Sequence, residues 1–335
     1  MRSVLGSRPW LTLALIALVL AAMPFVIDDN YLLHILILFL IFAVFATGWN
    51  LTLGILGQKT LGHHAFFAIG AYTTALLSGT VGLSPWLTLW LGVLAAALAG
   101  GLIGIPILRI RSMPHVAIVT LAFAEIVKLL LANWKDVTRG ELGLWGIPPF
   151  PAIEIGGTTI RFGAGQIAGS FALALLAFVA VHALVLWLLR GRFGLTMVAI
   201  RDSQLAAESL SIDLTRSKLA AFALSAAIVG LSGGLYAHYL QILTPTSTAG
   251  PEMLVTLLAM IILGGVGTFF GPIFGALVLT ALTEYLREYG DLRMLIYGAT
   301  VTLFVILLPR GVAGLLTRRG RPAAAGDEPA TAPET

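Results

Sequence analysis

The residues of this chain able to do chemistry are few, and most stand in apolar surroundings. Asn50, Gln58, Thr60, Thr120, Glu125 and Glu252 lie within or beside long apolar runs. A polar group in hydrocarbon is costly, so such residues face a partner or a polar passage. They are the candidates for lining a translocation path. Glu125 and Lys128 are three apart, on one helix face, and both an ion pair and a transport role are open to them. His63 and His64 are adjacent, so they diverge on a helix and make no ligand pair. His34, His182 and His238 are scattered along the chain. With no cysteine, thiol chemistry, disulfides and thiolate metal sites are ruled out. Neither a catalytic group nor a metal centre is expected.

Nucleotide chemistry is missing too. The phosphate-cradling pattern G-x-x-x-x-G-K-[ST] does not occur. Gly54 to Thr60 comes nearest, but it lacks the glycine before Lys59 and sits between apolar runs. Gly265, Gly267 and Gly271 mimic a dinucleotide loop inside an apolar helix. No cofactor is expected in this chain. If ATP drives it, the nucleotide and its magnesium belong to another subunit.

The elements that position these residues follow from composition. Of 335 residues, 58% are hydrophobic and 11% charged, against about 25% charged in a soluble domain. Such a chain needs lipid as its second solvent. A spanning helix takes about 20 apolar residues. Runs of that kind occur at 10–27, 31–49, 62–80, 86–108, 114–133, 167–189, 217–240, 253–270, 272–289 and 292–309. The expected fold is all-α: a polytopic transmembrane bundle of about 10 spans, some short or broken. Gly271-Pro272 divides two of the runs, and Gly62, His63, His64 and Gly70 weaken a third. Arg2 and Arg8 precede the first run, which is read as a retained helix rather than a cleaved signal.

With both termini cytoplasmic, 14 of the 20 basic residues fall on the inner side, as the positive-inside rule requires. The net charge of +4 thus reflects topology and marks no nucleic-acid partner. The transmembrane domain covers 1–316. It carries an external loop at 134–166, with a hairpin signal at Ile155-Gly156-Gly157-Thr158, and a cytoplasmic loop at 190–216. The tail 317–335, rich in Ala, Pro, Gly and acidic residues, is expected to be disordered and cytoplasmic. Gly100 and Gly104, like Gly230 and Gly234, have the spacing of close helix contacts. Gly265, Gly267, Gly271 and Pro272 mark a helix break.

The loop 190–216 reads as amphipathic helix. Asp202 is placed to cap a helix start, with Leu205, Ala206 and Leu210 on an apolar side. A short helix of this kind suits a groove on a partner or the membrane surface.

These segments together resemble the branched-chain amino-acid ABC importer permease family, of the LivM type, over nearly all of residues 30–316. Trp49-Asn50-Leu51, Gly57-Gln58, Ala65-Phe66-Phe67 and Ile69-Gly70-Ala71-Tyr72 are similar to the family's first signature. Ala117 to Ile126, Gly146-Ile147-Pro148, Ala199-Ile200-Arg201-Asp202 with Ala206-Ala207-Glu208, Leu263 to Thr268 and Pro309-Arg310-Gly311 are similar to later ones, in order. The chain departs from the family pattern at Lys59, Thr60 and His64. It also departs at Arg139, which interrupts a glycine pair, and at Ser211, which replaces a glycine. The resemblance implies a pore-forming subunit in the bacterial inner membrane. Its partners would be lipid, a second homologous permease, two ATP-binding subunits and a periplasmic substrate-binding protein. Arg201, Asp202, Ala206, Ala207 and Glu208 would then couple to the ATPases. A salt bridge is the plainer role for Arg201 and Asp202. An ion-coupled secondary transporter and an ABC permease for urea or amides are the alternatives.

The isolated chain is expected to hydrolyse no ATP, which a phosphate-release assay on the purified protein checks; steady turnover would contradict the absence of a phosphate loop.

Overall fold

The computed structural model describes residues 8–286, apart from 109, 111, 112, 156, 157 and 164, together with 295, 296, 298, 299, 302, 303, 306 and 311. Its helices are α1 (Pro9–Val26), α2 (Asn30–Asn50), α3 (His63–Gly79), α4 (Pro85–Leu108), α5 (Met113–Asn133), α6 (Lys135–Thr138) and α7 (Ile167–Arg190). They continue with α8 (Arg192–Asp202), α9 (Gln204–Ser209), α10 (Leu214–Leu240), α11 (Pro245–Ala249), α12 (Pro251–Gly264) and α13 (Gly271–Tyr285). A π turn, Leu51–Ile55, prolongs α2.

Seven stretches among the described residues are long and apolar enough to cross a bilayer. They are α1, α2 with its π turn, α4, α5 from Pro114, α7, α10, and α11 with α12 as Pro245–Gly264. The chain is an all-α, multi-pass membrane protein. The sequence leads one to expect about ten spans, and the difference has a physical origin. α3 has 17 residues and α13 has 15. At about 1.5 Å per residue both fall short of a hydrocarbon core of roughly 30 Å. α12 stops at Gly264, so the run drawn to 270 is a short helix and a turn. Most of the span expected at 292–309, the tail 317–335, and Arg2, Arg109, Arg111, Arg287, Arg293 and Arg310 lie outside the described residues.

α3 can be short because little of it meets lipid. It is enclosed by α4, α5, α10 and α11, and Ala65, Phe67, Ala68, Ala71 and Thr74 are fully buried. α4 shows how the enclosure is achieved. Thr88, Gly92, Ala96, Gly100 and Gly104 form its buried stripe, while Leu87, Trp90, Leu94, Leu98, Leu102 and Ile105 point outward. Lipid tails are as apolar as leucine, so burying apolar surface gives little drive, and close van der Waals contact must supply it. A Cβ on Gly92 would lie 2.8 Å from the Gly70 carbonyl oxygen, and one on Gly104 would lie 3.0 Å from Leu219 Cδ1. Gly100 and Gly230 likewise meet Ala226 and Ala96 with no room for a methyl group. The two glycine pairs read as packing positions are packing positions.

The bundle has unlike ends. At one, β1 (Leu144–Trp145) pairs antiparallel with β4 (Ile242–Leu243), and β2 (Ile153–Ile155) with β3 (Thr158–Ile160). The second pair is the expected hairpin, with Ile155 opposite Thr158. The first joins segments far apart in sequence and has no local signal. His238 Nδ1 donates to the Pro148 carbonyl at 2.7 Å, and Phe150 sits against its ring. At the other end lie α8 and α9. They form two helices, not one amphipathic run. Met197 and Ile200 are fully buried on α8, and Arg190 lies over the Trp10 ring at 5.7 Å, tying α7 to α1.

Two departures from the family pattern now have a backbone meaning. Arg139 has φ 59° and Ser211 has φ 60°, both in the left-handed region where glycine is at ease. Ser211→Gly should raise stability by about 0.5–1 kcal/mol, the left-handed strain less the added freedom of the unfolded chain. Thermal unfolding in detergent, followed by circular dichroism, measures this; a lowered midpoint would contradict it.

Candidate functional site

The site is built where three interrupted segments meet at the α8–α9 end: the π turn after α2, the loop 56–62, and the turn 265–270 between α12 and α13. Each interruption frees backbone groups that water cannot satisfy inside a membrane. Buried side chains satisfy them instead. Trp49 Nε1 donates to the Thr60 carbonyl at 3.1 Å and to Thr60 Oγ1 at 3.2 Å. The indole stacks on the His63 ring, 5.4 Å between centroids and 10° from parallel. Thr120 Oγ1 accepts from Leu61 N at 2.9 Å and returns its own proton to α5 at the Val116 carbonyl.

His63 closes this network. Its Nε2 lies 3.0 Å from Thr52 Oγ1 and 2.9 Å from Ser225 Oγ. Both hydroxyls already donate to carbonyls, of Trp49 and Gly48. The network therefore assigns the proton of His63 to Nε2, leaving Nδ1 to accept from Thr60 Oγ1 at 3.2 Å.

Asn50 makes the longest connection. Its Nδ2 donates to the Thr268 carbonyl at 2.8 Å, and its Oδ1 accepts from Gly267 N at 2.9 Å. The turn it holds is shaped by Gly265 (φ 118°) and Gly267 (φ 78°). Thr268 Oγ1 donates to the Gly265 carbonyl at 2.8 Å and accepts from Gly271 N at 3.1 Å. Gly271 opens α13 and Pro272 occupies its first turn, where a missing N–H costs nothing. The predicted break is thus a tight turn docked on α2, and Gly54 faces the Gly267 backbone there with no space for a side chain.

The candidate path residues do not converge. Asn50, Gln58, Thr60 and Thr120 are buried together at this end, and the bonds of Asn50, Thr60 and Thr120 are spent on backbone and His63. Glu125 lies midway along α5 on its outer face, 2.6 Å from Lys128 Nζ, with 52% of its side chain exposed. Glu252 is exposed at the opposite end, in the first turn of α12, where a carboxylate complements the helix dipole. On α3, His64 Nδ1 and Tyr72 Oη are buried without a hydrogen-bond partner among the described residues.

The coupling candidates gather on α8 and α9. Arg201 Nη2 pairs with Asp202 Oδ1 at 3.1 Å. Asp202 ends α8 and does not cap the next helix. Ser203 does, accepting from Ala206 N at 3.3 Å. Ala206 and Glu208 are exposed, whereas Ala207 is buried within this chain. Leu205 and Leu210 are 79% and 73% exposed, so the expected apolar side faces outward. His63, Trp49 and Ser225 were absent from the sequence candidates. Trp49 adjoins Asn50 and was within reach of motif reading; nothing in spacing links Ser225 to the loop at 60.

A bundle of close-packed spanning helices, with a strand fragment at one end and a helical loop at the other, defines a polytopic membrane protein. Residues 31–308 match the family described as branched-chain amino acid transport system / permease component. The chain belongs to that family. It is 34% identical to the high-affinity branched-chain amino acid transport system permease protein LivM of Escherichia coli over 92% of this chain and 76% of the relative. It is 24% identical to LivH of Salmonella typhimurium, over 82% of this chain and 91% of that protein. A nucleoside ABC transporter permease of Lactococcus lactis, NupC, is 26% identical over 61% of this chain and 66% of its own length. No solved structure gave a significant match.

Gly54→Ala should push the α12–α13 turn off α2 and cost about 1–3 kcal/mol, the usual toll of overpacking. Thermal stability and the yield of monodisperse protein report it; wild-type values would show that the turn is not held there.

Proposed function

We propose that this chain is one of two pore-forming permease subunits of an ATP-driven importer of branched-chain amino acids in the bacterial inner membrane. The observation that carries this reading is the outward-facing apolar surface of α9. Leu205 and Leu210 stand exposed beside Arg201, Asp202, Ala206 and Glu208, at the end of the bundle that also carries Lys59, Arg190, Arg192, Arg216 and Lys218. The density of basic residues favours that end as the cytoplasmic one, and an even number of passes, counting the short helices α3 and α13 and the expected run 292–309, would bring both termini to the same side. A short helix presenting apolar anchors among charges fits a groove on an ATP-binding subunit. Two such subunits supply ATP, magnesium and the hydrolytic residues. Ala207 fixes α9 to the bundle, so the contact surface is Leu205, Ala206, Glu208 and Leu210.

The second permease covers α5. Its outer face joins Ile118, Leu121, Ile126 and Leu129 to the half-exposed Glu125–Lys128 pair. Charges at that depth are costly against lipid and are found facing protein or a water-filled passage. Setting a homologous chain against α5 satisfies them and puts the path between the two subunits, with Glu125 beside it. A cavity lined by Ile37, Phe150, Phe162 and Tyr239 measures about 20 Å³, space for a water molecule and not for an amino acid. At the strand end, Leu142 and Trp145 are exposed and offer a landing surface to a periplasmic binding protein that delivers leucine, isoleucine or valine.

Replacing both Leu205 and Leu210 with Glu should abolish copurification of the ATP-binding subunits and lower leucine uptake about tenfold, without loss of folded permease. Retained association and uptake would remove α9 as the docking element, and uptake of urea in place of leucine, isoleucine and valine would replace the substrate.

A further inference from the structure

We propose that Asn50 is a positioning residue of the transport cycle: it carries movement of the α8–α9 loop into the α12–α13 hairpin by holding that hairpin to the end of α2. The proposal rests on α9 as the ATPase docking element and goes beyond it by naming the route inward.

The route is a chain of three contacts. Arg201, at the end of α8, lays its side chain across Gly57. A Cβ there would lie 2.6 Å from Arg201 Cγ, and Gly57 has φ 76°, so no larger residue suits the position. The same guanidinium lies beside the hairpin, its polar bonds among the described residues going to Asp202. Its Nη1 lies 3.7 Å from where a Cβ on Gly267 would be, and that Cβ would also lie 2.9 Å from the Gly54 carbonyl oxygen. Asn50 then brackets Gly267-Thr268, accepting from Gly267 N at 2.9 Å and donating to the Thr268 carbonyl at 2.8 Å.

This arrangement suits transmission better than substrate binding. Asn50 is buried, and its donor and acceptor are both engaged with backbone, leaving little for a passing amino acid. The segments it joins are both irregular. The π turn Leu51–Ile55 has one residue too many for an α-helix, a feature frequent at functional sites. The hairpin helices α12 and α13 are 14 and 15 residues long, and they are joined by a turn with two positive-φ glycines. Two irregular segments slide or hinge easily when unpinned. One amide with two bonds makes them a single body, and Arg201 gives the cytoplasmic loop a grip on that body.

The test uses the whole transporter, this chain assembled with its partners in liposomes, measuring uptake and ATP hydrolysis together. Asn50→Asp keeps the size and loses the donor to Thr268; Asn50→Ala loses both bonds. Both variants are expected to keep the ATPases and hydrolyse ATP, while uptake per ATP falls about tenfold, within the usual range of coupling between distant sites. A merely structural role would lower assembly, hydrolysis and uptake together and leave their ratio unchanged; that result, or wild-type uptake per ATP, overturns the proposal. Because the chain has no cysteine, a Lys59→Cys, Val266→Cys pair carrying spin labels reads the joint with Asn50 in place. Its separation should be the same with and without ATP, and a change on ATP binding overturns the proposal whatever the fate of the Asn50 variants. Failure of the docking reading would show separately, as ATPases that remain bound to the Leu205, Leu210 double variant.

Discussion

Every backbone amide and carbonyl that leaves a helix inside hydrocarbon must find a partner within the protein, and this constraint organises the inner end of the molecule. Three interruptions occur there, and the fold places them side by side. Trp49 and Asn50 each bond to the backbone of a neighbouring segment, as does Thr120, while Thr60 Oγ1 meets the Trp49 and His63 side chains. His63 ties the hydroxyls of Thr52, Thr60 and Ser225 into the same network. Removing one partner there would strand a buried polar group, at about 1–3 kcal/mol. The irregular backbone is therefore rigid as long as the network is whole, and it holds the break in the α12–α13 hairpin against α2.

The rest of the bundle answers a different demand. Association of helices in lipid depends on close contact, and the contacts around α3 are close because glycine and alanine face one another. Gly70 meets Gly230, Gly92 meets Gly70, and Gly233 meets the Phe67 carbonyl. This lets a helix of 17 residues serve as the centre of the bundle. Its neighbours take the lipid-facing work, as the outward leucines of α4 show.

What remains exposed then reads as function. The outer face of α4 is uniformly apolar and suits lipid, whereas the outer face of α5 carries an ion pair and suits protein or a passage. α9 turns Leu205 and Leu210 outward among charges at the basic end. The outward-facing surfaces are thus unlike in chemistry, and the proposed contacts with lipid, a second permease and soluble partners would each use a different one.

Composition and periodicity were enough to show a polytopic helical membrane protein, because apolar runs of spanning length are a local property. Signature residues placed it in a permease family, and glycine spacing located two packing seams and the break at Gly271-Pro272. The pairing of β2 with β3 was legible too, from the glycine pair in the sequence between them. Side-chain partnership was not, since it depends on residues brought together from afar. Asn50 looked like a path residue until Gly267 and Thr268 were seen against it, 217 and 218 positions away. Asp202 looked like a cap until Ser203 took that role, and the leucines of α9, read as an apolar side for a partner's groove or the membrane surface, stand outside the bundle, where either could meet them. Span count likewise followed from packing, because a helix enclosed by others need not be as long as the bilayer is thick.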